Sequence, residues 1–164
     1  MLPSASRVQK LQRTEISGYT DHIDFMQNFK VTDRERLILT NIAEDEQKHS
    51  NLLIAMFDDR GIPVVSKGEE SSYWAAVLAG IDSVPSYCAA NYFGEALAAY
   101  RFEIIHEMPE TPSDIKEVIG KVLPDEIFHR ETLSRMAGEE VMASMKAIHD
   151  AAYERLLHGS KIIK

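Results

Sequence analysis

Cysteine is almost absent. Cys88 is the only one in 164 residues, so neither an internal disulfide nor a Cys-x-x-Cys metal knuckle can form. Basic charge is scarce too: 18 Lys and Arg against 26 Asp and Glu leave a net charge of −8. That leaves no basic face to neutralise nucleic-acid phosphates or to hold an anionic membrane surface. The longest apolar run, Tyr73 to Ile81, is too short to span a bilayer. Met1 to Glu15 holds nothing like the apolar stretch of a signal peptide. These absences point to one cytoplasmic domain, residues 1–164, with neither nucleic acid nor membrane as partner. Its length suffices for a real core.

Glycine and proline are few, 8 and 6, and they cluster at joints between long helical stretches. Helix 1 is predicted from about Ser6 to Phe29. Thr32-Asp33-Arg34-Glu35 is a capping-box pattern opening helix 2, which runs to about Arg60, where Gly61 and Pro63 supply a stop. Ile62 to Pro85 is a long connection with a short helix near Tyr73 to Gly80. Helix 3 is predicted from about Ser86 to Glu107. Helix 4 follows from Pro112, with Thr111 as its cap, to Gly138, and a C-terminal helix from about Glu139 to His158. No useful β-type alternation appears, so the fold class is all-α. Two short joints make two antiparallel hairpins, and the long connection makes one crossover between helices 2 and 3.

The buried stripes carry the functional signal. Residues spaced by three and four give Leu11, Glu15, Gly18, His22 and Phe25 on helix 1, and Leu39, Ile42, Glu46, His49 and Leu53 on helix 2. Helix 3 gives Cys88, Tyr92, Glu95, Ala99 and Phe102, and helix 4 gives Ile119, Val122, Glu126, His129 and Leu133. Apolar neighbours place each stripe inside, yet each holds a glutamate. Burying an unpaired carboxylate costs several kcal/mol, and four together repel. Two divalent cations would balance four carboxylates, with two neutral imidazoles completing the set. One Glu from each of two helices and Glu-x-x-His from each of the other two is the ligand pattern of a di-iron or di-manganese site.

Glu-x-x-His alone is weak, and Glu103-Ile-Ile-His106 is a third copy. Spacing strengthens it. Glu15 precedes Glu46 by 31 positions, and Glu95 precedes Glu126 by the same 31. Both second motifs follow an aspartate, Asp45 or Asp125, suited to accept the outward N–H of a ligand histidine. His22 and His106 lie too far along their helices to join the same ligand set and are expected in the core. Tyr19 and Tyr92, one turn from Glu15 and Glu95, are expected beside the site, either packing there or donating hydrogen bonds or electrons to it. Gly18, Gly94, Ala98 and Ala99 leave either a pocket or room for close packing.

From about residue 8 to 137 the chain resembles the ferritin-like di-iron superfamily of bacterioferritins, rubrerythrins, ribonucleotide reductase small subunits and di-iron oxygenases. The resemblance rests on Glu15, Glu46, His49, Glu95, Glu126 and His129. It implies a four-helix bundle (about 6–137) with one long crossover and a fifth helix (about 139–158). It also implies two Fe ions, with Mn as an alternative, bridged by Glu46 and Glu126. Glu15 and Glu95 would then be terminal ligands, and each histidine would hold one ion. The extra helix 3 glutamate of rubrerythrins is Ala98 here, and the haem-binding Met of bacterioferritins is Gln47. The implied function is an oxidoreductase, an oxygenase or oxidase, that uses dioxygen or peroxide on a small organic substrate. Electrons would come from an external reductase or from the substrate, and the expected assembly is a homodimer. The alternatives are a ferroxidase with iron storage and a peroxide-scavenging rubrerythrin- or manganese-catalase-like protein.

Overall fold

A computed structural model describes residues 5–64 and 72–159. Side chains are described for neither 5–8, 10, 72–73 nor 156–159, and 65–71 of the connection lies outside the described residues. Every regular element among the described residues is helical: α1 (Ala5–Asn28), α2 (Asp33–Asp59), α3 (Ser72–Leu78), α4 (Val84–Glu107), α5 (Ser113–Ala137) and α6 (Glu139–Gly159). No helix there is long and apolar enough to cross a membrane.

The helix ends follow local chemistry. Thr32 caps α2: its hydroxyl accepts from the Glu35 N–H at 3.3 Å, and the Glu35 carboxylate accepts from the Thr32 N–H at 2.7 Å. Gly61 ends the same helix at φ +63°, and Gly138 follows α5 at φ +75°, both in the left-handed region. Two expected boundaries need correction. α4 starts two residues early, at Val84, because Ser83 caps it: the Ser83 hydroxyl accepts from the Ser86 N–H while that of Ser86 accepts from the Ser83 N–H. Thr111 does not cap α5. Its hydroxyl donates instead to the Ile105 carbonyl at 2.6 Å and satisfies the end of α4. α5 runs through Pro124 without interruption.

The chain gathers into two compact units, residues Met1–Gly68 with Ala98–Ile127, and Glu69–Leu97 with Phe128–Lys164. α4 and α5 contribute residues to both. In the first unit α1 packs on α2. Its core includes Leu11, Leu53, Phe57, Phe102, Ile119 and Val122, and burying each such side chain contributes about 1.5–3 kcal/mol. In the second unit α3 packs on α6. Gly80 makes that approach possible, since a methyl group there would come within 2.8 Å of Ile148 Cδ1. Tyr87, Cys88, Ala89 and Ala90 are buried in succession, so this part of α4 is enclosed on every side.

Candidate metal centre

Four of the six expected ligands meet in the first unit. Glu15 on α1, Glu46 and His49 on α2 and Glu126 on α5 are each no more than 3% exposed. Each offers one ligand atom, and these atoms all lie within 4.8 Å of one another, a group that could hold a metal ion. His49 is the hub. Its Nδ1 is 3.3 Å from Glu15 Oε2 and 3.0 Å from Glu126 Oε1. On the other side of the ring its Nε2 is 3.1 Å from Asp125 Oδ2. The Nε2 contact with Asp125 directs Nδ1 at the carboxylates, and an ion bound among them would replace the Nδ1 proton.

The two remaining ligands lie in the second unit. Glu95 on α4 and His129 on α5 are buried, with ligand atoms within 4.8 Å of each other. Glu126 and His129 are three positions apart on one continuous helix and therefore share a face.

The electrostatics explain why this donor set suits cations. Burial, then the charge of Glu126, pushes the Glu15 carboxyl up from 4.5 to about 8 despite its contacts with His49. Burial alone would lower His49, but hydrogen bonding to Glu126 and Glu15, the Glu126 charge and Asp125 outweigh it and raise the imidazole to about 10. In both cases neighbouring buried acids favour the protonated form, so the cluster holds protons where positive charge is wanted. A divalent ion would supply that charge and displace the protons, so oxygen and imidazole donors packed this closely fit a metal.

Asp125 reaches across from α5 to a histidine on α2, a pairing that sequence spacing could not assign. Asp45 holds Lys48 on its own helix at 3.0 Å. Tyr19 and Tyr92 are half-buried, and Tyr92 stands edge-on to Phe93. His22 is buried, as expected of a core residue, and His106 is half-buried. Gln12 and Ser50 were not among the expected site residues. They form a buried polar pair beside the cluster, with Gln12 Nε2 donating to Ser50 Oγ at 3.1 Å. The available signal was Gln12, a polar residue three positions before Glu15 and so on its side of the helix.

Gly18 has a specific task. A methyl group there would come within 2.8 Å of Glu46 Oε2 and 3.1 Å of its Cγ, so α1 leaves open the space that the Glu46 carboxylate fills. Gly18→Ala is expected to push that carboxylate aside and weaken Co(II) binding about 10–100-fold, the usual cost of mis-orienting a ligand. Calorimetric titration measures it, and unchanged affinity would show that Glu46 has room to spare. Gly94 is filled differently: a methyl there would meet Trp74 Cη2 at 2.8 Å, so the indole occupies that space.

The chain is thus an all-helical protein with a buried glutamate and histidine cluster that could bind metal. It matches no protein-family model, no curated protein and no solved structure.

Proposed function

We propose that this chain is a ferritin-like di-iron oxidoreductase that uses dioxygen or peroxide to oxidise a small organic substrate. The carrying observation is the convergence of Glu15, Glu46, His49 and Glu126, all buried, with ligand atoms within 4.8 Å. In this reading the crossover containing α3 joins two hairpins, and Glu95 and His129 would serve a second metal ion. Glu46 and Glu126 would be shared by the two ions, and manganese is the alternative metal. Bound iron supplies one-electron redox chemistry toward dioxygen or peroxide. The protein holds four carboxylates to offset the ionic charge, fixes the His49 tautomer through Asp125 and keeps bulk water away by burial. The sequence carries no flavin, haem or iron–sulfur motif, so the electrons would come from an external reductase or from the substrate.

Anaerobic loading with Fe(II) is expected to reach two ions per chain, and oxygen then to oxidise both. Trp74 provides an internal reporter. It is the only tryptophan and lies against Gly94, the neighbour of Glu95. Co(II) should quench its fluorescence in wild type and much less in Glu95→Ala. Absence of stoichiometric metal at neutral pH would end this reading. Hundreds of irons per chain within a large assembly would replace it with storage.

A further inference from the structure

Four aromatic rings in the second unit form a ladder from the surface toward Glu95. Tyr153 on α6 is 38% exposed. It stacks on His149 one turn earlier, with ring centroids 6.0 Å apart and planes 11° from parallel. His149 stacks on Phe93 of α4 at 4.5 Å and 14°. Phe93 meets Tyr92 edge-on at 5.1 Å and 83°. Tyr92 lies one turn before Glu95 on the same helix, about 4.5 Å along its axis. Trp74 adds an indole against Gly94, between Phe93 and Glu95 in sequence.

Packing alone accounts poorly for the middle rung. A leucine at 149 would bury apolar area without an imidazole's desolvation cost, and it would avoid a polar ring stacked between two carbocycles. Burial lowers the His149 pKa, and the nearby Lys146 charge adds to this against Asp150, so the imidazole is neutral near pH 7. A neutral ring adds no fixed positive charge to the path.

We propose that this ladder is the electron route to the metal centre, with Tyr153 as its surface end. The proposal rests on the di-iron reading above. One electron leaves a soluble one-electron donor, which is oxidised by one unit, and reduces one ferric ion to ferrous. The rings return unchanged, and no bond forms or breaks. Each interval from Tyr153 to Tyr92 is one ring contact, so electronic coupling over that span passes through π systems, and one turn of α4 carries it on to Glu95.

A ruthenium tris-bipyridine photoreductant attached at Asp150→Cys, one turn from Tyr153, tests this in the iron-loaded chain. The native Cys88 is buried and escapes labelling. Flash-induced loss of ferric absorbance gives the transfer rate. His149→Leu and Phe93→Leu are each expected to slow it about tenfold or more, roughly 1.4 kcal/mol in barrier. Tyr153→Phe, which keeps the ring, should leave it near the parent value. Tyr153→Leu is on the surface and keeps the test readable if an interior variant misfolds; it should slow transfer. Unchanged rates in the leucine variants, with two irons retained, overturn the route alone. Failure of the labelled parent to hold iron overturns the di-iron reading and the route with it.

Discussion

Metal-free protein is expected to lose stability steadily as pH rises from about 5 to about 10. Glu15 takes up its proton near 8 when folded and near 4.5 otherwise, so between those values the folded state binds more protons and stability falls with pH. His49 acts in the same direction in a higher window. Its charged form is favoured by folding, so its contribution is complete below 6.5 and disappears as pH passes about 10. A displacement of this size corresponds to about 5 kcal/mol at 1.36 kcal/mol per pH unit. The two share the Glu15–His49 contact, so they count once. Metal should reverse the slope, because an ion must displace those protons and binds more tightly as they become easier to remove. Thermal unfolding with EDTA, and with two equivalents of Co(II), from pH 5 to 10 would reveal both trends. A flat or rising metal-free profile would contradict the clustering of buried acids around His49.

The second large effect separates stability from function. Glu126 is fully buried, touches His49 Nδ1 and helps raise Glu15. Glu126→Gln keeps its shape and removes the charge. Glu15 is left to pair with His49 and one repelling acid is gone, so the metal-free variant is expected to be more stable by about 1–4 kcal/mol, within the several kcal/mol that burying one carboxylate costs. At 2–4 °C per kcal/mol for a chain of this size, that is about 2–16 °C in Tm. On the proposed di-iron reading the same variant should retain no more than one ion per chain, because a carboxylate that would serve both ions is gone. Asp125→Asn is the informative companion. It leaves the ligands in place but deprives His49 of its anionic acceptor, so stoichiometry should hold while affinity falls about 10–100-fold. A destabilised Glu126→Gln would mean that the carboxylate serves the fold rather than a metal.

The opposed expectations for Glu126 clarify what a linear reading could reach. The four glutamates were legible because each interrupts an apolar stripe, and burial of a charge without a reason is costly. The helices were legible from caps such as Thr32–Glu35 and the stop at Gly61, because those signals act within one turn. Boundaries slipped where polar groups had a choice of partner. Thr111 has the composition of an N-cap, yet it satisfies the preceding helix, since the Ile105 carbonyl is closer to hand. Gly18 and Gly94 were ambiguous in sequence because a missing side chain does not say what fills its place. One is filled by the Glu46 carboxylate and the other by the Trp74 indole.

By itself the sequence determined an all-helical chain, its buried acid-bearing stripes and the residue types available to bind a cation, since periodicity and capping are local properties of the backbone. Tertiary structure alone decided that Asp125 orients His49 from another helix and that Glu46 occupies the space left by Gly18. It also decided that His149 bridges Phe93 and Tyr153. These pairings join residues far apart in the chain or depend on how helix faces turn, and only packing sets such distances.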